Sequence, residues 1–192
     1  MAIIRPRCES DLKPLAVILC SVYAQTGYPV GLAGIEDAVQ FIRMRNEKAS
    51  VDNYVVVDDE VAGHMSIVTS LTSYSITETI IYNLPSDMLG EKMPWTIRNG
   101  NYEFDCLCLR TFFVDPEKRG RGYGKELMLD AMLKAKSVGK RLVLDVIVKD
   151  VAAIALYEKL GWLRVGETVY VEQGSGMRYS EWLYLSPLQQ ES

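Results

Sequence analysis

Apolar residues recur along this chain with two periods. From Leu12 through Leu15, Ile18 and Leu19 to Val22 they fall three and four apart, which predicts an amphipathic helix from about Asp11 to Ala24, with Ser10 or Asp11 as its N-cap. Thr26-Gly27-Tyr28-Pro29 ends it, because proline lacks a donor and disfavours helix in the residue before it. The same period predicts a second helix from Ile35 to Glu47, with Ile35, Val39, Ile42 and Met44 inward. A third runs from Tyr123 to Ser137, burying Leu127, Met128, Ala131, Met132 and Ala135 and ending at Gly139. A short fourth helix, Val151 to Leu160, lies between Asp150 as N-cap and Gly161 as C-cap. Extended, β-rich runs predict strands at Ile3 to Arg5, Phe104 to Val114 and Leu142 to Val148. Hairpins are expected from Tyr54–Val57 and Val61–Thr69 around Asp58-Asp59-Glu60, and from Leu163–Glu172 and Tyr179–Leu185 around Gly174-Ser175-Gly176.

The element order is β-α-α-β-β, then β-α-β-α, then β-β. The middle unit calls for a right-handed parallel crossover and the flanking hairpins for antiparallel pairing. The expected class is α/β: a mixed sheet with a central parallel β-α-β unit and four helices. Residues 70–101 are rich in Ser and Thr and then in turn formers. They read as some strand followed by a long loop, and long loops inside compact domains are usually functional or disordered. A length of 192 residues suits one domain.

Composition narrows the partners. Net charge is −4 and no basic patch dominates, so nucleic acid is not an expected ligand. The four cysteines form no CxxC pair and His64 is the sole histidine, which argues against a metal site. Cys106 and Cys108 share one face of a strand and read as small buried hydrophobes in a reducing compartment. Arg5 and Arg7 before an apolar run resemble a signal peptide only faintly, since Glu9 and Asp11 interrupt the positive region. No run of about 20 apolar residues is present to cross a membrane. A cytoplasmic location is the resulting expectation.

The densest chemistry lies in Arg119-Gly120-Arg121-Gly122-Tyr123-Gly124, between the strand ending at Val114 and the helix opening near Lys125. Glycines at such a junction let the chain turn several N–H groups toward one point, and the helix N-terminus adds its positive dipole end. That is an anion site, typically for phosphate. A dinucleotide-binding reading fits less well, although Asp145 stands about 20 residues on. The third glycine comes one position early, and Asp115 to Arg119 is too long for a tight first turn. A P-loop is excluded, because Glu126 follows Lys125 and the first glycine is missing.

Arg119, Gly122 and Gly124 fit Arg/Gln-x-x-Gly-x-Gly/Ala, and Leu142-Val143-Leu144-Asp145-Val146 leads through Asp150 to Ala153-Ile154-Ala155-Leu156-Tyr157-Glu158-Lys159-Leu160-Gly161-Trp162. Together these segments resemble the two signatures of the GNAT superfamily of N-acetyltransferases. Val114-Asp115-Pro116 and Ile4-Arg5-Pro6 fit the same pattern. The resemblance implies acetyl transfer from acetyl-CoA to an amine, without a metal. The acceptor would be a small molecule or a peptide, and the chain a monomer or homodimer. It implies that Phe112, Phe113 and Val114 offer main-chain bonds to the pantetheine arm. The amides from Gly120 through Arg121, Gly122, Tyr123 and Gly124 to Lys125 would hold the pyrophosphate. The Val114 N–H would serve as a donor to the oxyanion, and Tyr157 would protonate the departing thiolate.

Each of these residues also has a plainer reading. Arg119 and Arg121 either touch phosphate or sit in water, and Tyr157 either acts as the acid or packs in the core. Asp150 is a plain N-cap unless it reaches the cofactor; the family commonly carries Asn there. A carboxylate in a buried strand, such as Asp145, must be paired, exposed or shifted in pKa. It is a candidate general base, since some family members that acetylate protein N-termini look similar there. Glu103 and Asp105 are weaker candidates, Tyr28 and Trp95 are candidate pocket residues, and His64 reads as structural. The rival to an enzyme is a non-catalytic acyl-CoA sensor or interaction module of the same fold.

Overall fold

A computed structural model describes residues 2–27, 32–44, 51–68, 95–98, 101–104, 106–172 and 176–187, with the backbone alone for 44, 95–98 and 101–104. The elements in chain order are β1 (Ile3–Pro6), α1 (Leu12–Thr26), α2 (Ile35–Met44), β2 (Val51–Asp58), β3 (Glu60–Val68), β4 (Trp95–Arg98), β5 (Asn101–Phe104), β6 (Cys106–Val114), α3 (Tyr123–Ser137), β7 (Arg141–Ile147), α4 (Val151–Lys159), β8 (Leu163–Val171) and β9 (Arg178–Leu185). Seven strands hydrogen-bond in the order β1-β2-β3-β6-β7-β9-β8, and β4 pairs with β5 apart from them. The β6–β7 pair is parallel, whereas β1–β2, β2–β3, β7–β9 and β8–β9 are antiparallel. This is the expected mixed α/β sheet, with four α-helices among the described residues.

The chain divides into two compact units. The first comprises Met1–Ser70 and Leu109–Ala131, the second Leu71–Cys108 and Met132–Ser192. In the first, α1 buries the expected stripe of Leu12, Leu15, Ile18, Leu19 and Val22, which packs with Ala38 and Ile42 of α2, Val55 of β2 and Phe113 of β6. Ile35 is a correction: it is 41% exposed, and Ala38 takes the inward place. Helix α2 therefore turns its inner face through Ala38, Val39 and Ile42, and its first residue stays outside that stripe. The helix is described to Met44, and its expected continuation to Glu47 lies outside the described residues. Asp11 is not a side-chain cap. Its buried carboxylate instead accepts hydrogen bonds from Arg5 Nη1 and Nη2 at 2.7 Å and from the Cys8 N–H at 2.8 Å. The Arg5 hydrogen bonds, ahead of the Cys8 N–H, hold its pKa down to about 2 against the opposing effect of burial.

Gly63 explains how β3 lies so close to β6. A Cβ there would stand 2.8 Å from the Phe113 carbonyl oxygen and 3.3 Å from Leu127 Cδ1. Any side chain would therefore push apart the strand and helix that lead into and out of the glycine loop.

In the second unit, Cys106–Cys108 of β6 pair with Arg141–Val143 of β7, and β9 pairs with both β7 and β8. Cys106 and Cys108 are buried free thiols, as expected. Ser186 closes β7 by donating its N–H to the Leu142 carbonyl at 2.8 Å while its Oγ accepts the Leu142 N–H at 3.0 Å. Trp95–Arg98 is a strand where a loop was expected. Its residues Trp95, Thr96 and Ile97 are β-branched or aromatic types, and it finds a partner in β5. Most of the 70–101 segment lies outside the described residues, as do Tyr28, Asp105 and residues 173–175.

Candidate functional site

In the first unit the site is made of main chain. After β6, the Asp115 carboxylate accepts the Glu117 N–H at 3.0 Å, and the Asp115 N–H donates to the Ala62 carbonyl at 2.8 Å, anchoring a single 3₁₀ turn over Pro116–Lys118 against β3. Gly120 and Gly122 then adopt φ of +79° and +92°, in the left-handed region that an L side chain rarely enters. A Cβ on either would meet nothing within 4 Å, so the space before this backbone is open. Gly124 is different: it keeps helical backbone inside the first turn of α3.

The Gly122 carbonyl accepts the Glu126 N–H at 3.0 Å, the first turn of α3. The amides of Tyr123, Gly124 and Lys125 therefore have no acceptor within the helix. The Tyr123 side chain is buried, and its hydroxyl donates to the Asp58 carboxylate at the β2–β3 turn. That bond lowers the Asp58 pKa and raises that of Tyr123. Tyr123 thus offers the loop its amide alone. Arg119, Arg121 and Lys125 are exposed around it.

The parallel ladder of β6 covers only Cys106, Leu107 and Cys108. Leu109–Val114 lie beyond that pairing. Of the three residues expected there, Phe112 and Val114 are half-buried, whereas the Phe113 ring is buried 5.5 Å from the imidazole of His64. His64 is 1% exposed, with neither ring nitrogen hydrogen-bonded among the described residues. Burial pushes its pKa down to about 3, with the Arg7 charge adding to the effect and Asp11 opposing it.

In the second unit the candidate groups are side chains. Asp150 caps α4: its carboxylate accepts the Ala153 N–H at 3.2 Å and its carbonyl the Ile154 N–H at 3.1 Å. Tyr157, seven residues on, is 4% exposed, its ring centroid 5.7 Å from that of Trp162 and 5.8 Å from that of Tyr184. Asp145 is exposed on β7. Beside it on β9 stands Glu181, a carboxyl that the motif reading passed over. It is only 8% exposed, and burial, followed by the Asp145 charge, pushes its pKa up to about 7. The available signal was a lone acid in the run Glu181-Trp182-Leu183-Tyr184-Leu185, but only the strand register places it near Asp145.

The structure thus groups residues 112–114 with 119–125 in one unit. In the other it sets Asp145 beside Glu181, and Tyr157 among Trp162 and Tyr184. The side chain of Glu103 is not described. Among the described residues there is no group of three or more His, Cys, Asp or Glu side chains that could hold a metal ion, and no helix long and apolar enough to cross a membrane.

The chain resembles solved structures along its whole length. The Arabidopsis thaliana NAA60 complex with a bisubstrate analogue superposes with a TM-score of 0.68 at 17% identity, covering 98% of this chain and 100% of that one. The ribosomal-protein-alanine N-acetyltransferase of Brucella melitensis gives 0.63 at 20% identity, covering 97% and 99%. Salmonella typhimurium yncA, solved with its cofactor acetyl-CoA, gives 0.63 at 15%, covering 100% and 96%. At these identities the likeness concerns the fold. No curated protein matches the sequence. Residues 29–162, which include both the glycine loop and the Asp145-to-Trp162 segment, match the acetyltransferase (GNAT) family, and the chain belongs to that family.

Proposed function

We propose that this chain is an N-acetyltransferase of 192 residues acting as one domain, which moves an acetyl group from acetyl-CoA to a primary amine within a ternary complex. The observation that carries the reading is the run from the part of β6 beyond its pairing with β7 into two left-handed glycines and an open helix N-terminus. A pantetheine arm needs main-chain partners and a diphosphate needs converging amides, and this segment has both in sequence. The open space before Gly120 and Gly122 fits phosphate, which approaches backbone closely only where no Cβ intervenes.

Acetyl-CoA supplies an acyl group activated as a thioester. The amides from Gly120 to Lys125 hold its diphosphate, with Arg119, Arg121 and Lys125 adding positive charge at the rim. The main chain of Phe112, Phe113 and Val114 holds the pantetheine, and the Val114 N–H polarises the acetyl carbonyl. Asp150 orients α4 through its cap, with a further contact to the cofactor open to it. Tyr157 supplies a proton to the leaving sulfur, and Asp145 acts on the acceptor side as a base. An alkyl amine is mostly protonated at neutral pH, so a base on that side is required. The acceptor is an amine of a small molecule or peptide, met in the cytoplasm by a monomer or homodimer.

Acetyl-CoA consumption across an amine panel tests this. Turnover on one amine class is the expected result. Binding of acetyl-CoA, seen as a raised melting temperature absent with NAD, but without turnover on any amine would turn the reading to an acyl-CoA sensor.

A further inference from the structure

The seven-strand sheet has two edges, and they are built differently. At one end β1 is four residues long, carries Arg5 and finishes at Pro6, features that discourage another strand from pairing there. At the other end β8 has nine residues and neither proline nor lysine. A register shift between Arg164 and Gly166 bulges its first part. From Gly166 to Val171 the pairing with β9 is regular, and the last four residues, Thr168-Val169-Tyr170-Val171, carry no charge.

The ladder fixes where the main-chain groups point. The Glu172 N–H donates to the Met177 carbonyl at 2.8 Å, so Glu172 aims its main chain at β9, and Tyr170 and Thr168 share its direction by alternation. Ser180, opposite Val169, agrees, since its carbonyl accepts the Val148 N–H at 3.0 Å, away from β8. Glu167, Val169 and Val171 therefore aim N–H and C=O away from β9, toward a side where the sheet has no further strand among the described residues. Their side chains form one row, in which Val169 and Val171 are 44% and 47% exposed. Unclaimed main chain and exposed apolar side chains thus coincide on the same residues, the profile of an edge that takes another strand.

The strand's own pattern selects the partner. A two-fold axis through Val169 lays a second β8 antiparallel to the first, with Val169 opposite its copy and Glu167 opposite Val171 at either end. All three pairs are of the hydrogen-bonded kind, so outward groups meet outward groups. Charge matches as well. Arg178 stands on β9 opposite Val171, which puts it in one row with the partner's Glu167 and only a valine between them, about 10 Å from Cα to Cα. Both side chains are exposed and long enough to meet. Within one chain Glu167 lies opposite Trp182, four residues from Arg178 and roughly 13 Å away.

We propose that Gly166–Val171 of β8 pairs with the same segment of a second copy about this axis, giving a homodimer in which Arg178 reaches the partner's Glu167. The proposal does not depend on the acetyl-transfer reading, and its test needs no turnover. A pairing this short is at the small end for interfaces, so association is expected in the micromolar range.

Sedimentation of the full chain from about 1 to 200 μM should show the mass rise from 21.6 kDa toward twice that value. Val169→Pro should weaken association at least tenfold, yet leave the melting temperature unchanged at concentrations where the original chain is monomeric, because the N–H it removes donates nothing to β9. Val169→Lys keeps that N–H and sets two like charges opposite each other at the axis, with the same loss expected. Glu167→Lys should weaken the dimer, and adding Arg178→Glu should restore it, a rescue that contacts within one chain cannot supply. A monomer at every concentration, a dimer indifferent to both Val169 changes, or no rescue by the charge exchange overturns the proposal. So does protection of the Val169 and Val171 amides from hydrogen exchange that is independent of concentration, which would put another segment of the same chain on the edge.

Discussion

The two compact units present their candidate groups in different materials. The first uses backbone: two left-handed glycines, the amides of a helix end and the part of β6 that lies beyond its pairing with β7. The second uses side chains: Tyr157 in an aromatic cluster, and Asp145 beside Glu181. A backbone site recognises what every acyl-CoA shares, and its geometry is set by the fold. A side-chain site is free to vary by single substitutions, which is where an acceptor preference can be written without disturbing the donor site.

This contrast predicts separable failures. The largest expected effect is Tyr157→Phe, which keeps the ring contacts with Trp162 and Tyr184 and removes only the hydroxyl. Turnover should fall about 10²–10⁴-fold in steady-state assays while acetyl-CoA affinity stays within twofold. Unchanged turnover would remove Tyr157 from the chemistry and leave it a core residue. Gly122→Val should do the opposite and weaken acetyl-CoA binding by about 100-fold by calorimetry. It forces a β-branched residue into left-handed backbone, a strain of roughly 1–3 kcal/mol, and fills the open space before the amides.

Smaller effects concern the scaffold of the first unit. His64 is neutral when folded, and its folded pKa lies below its unfolded value of about 6.5. The unfolded chain therefore binds the extra proton, and the His64 contribution, complete above that value, drains away as pH falls toward 3. Stability from urea titrations should drop by roughly 3 kcal/mol between pH 7 and 4 from this residue, and His64→Met should flatten the slope. Asp11 has the usual carboxylate sign: its contribution is present above the unfolded pKa of about 4 and is lost as pH falls toward 2. Asp11→Asn should cost about 2 kcal/mol at neutral pH, less than a fully buried pair because Arg5 reaches solvent.

The same division of materials governs what the sequence discloses. Backbone sites advertise themselves, since left-handed turns call for glycine, and Gly120 and Gly122 stand between a strand and a helix whose apolar spacing is regular. Helix α3 is bounded by the very residues its pattern predicts, Tyr123 and Ser137. The central parallel pair follows from the β-α-β order. Glu181 did not stand out, because its neighbour is 36 positions away and the pair exists only through the β7–β9 register. Ile35 misled for a related reason. An apolar residue in the first turn of α2 continues the period, but the partners are Leu12 to Val22 of α1, and Ala38 and Ile42 already fill that contact. Trp95–Arg98 escaped because four residues between turn formers carry too short a period to register as a strand until β5 supplies the complement.

The bond from Tyr123 to Asp58 joins the start of α3 to the β2–β3 turn. The helix mouth is pinned to that turn by a side chain, while the space before Gly120 and Gly122 stays open. On the acetyl-transfer reading, capture of a diphosphate there would require little freezing of the turn, and the free energy of those contacts would go into affinity instead of into ordering the chain.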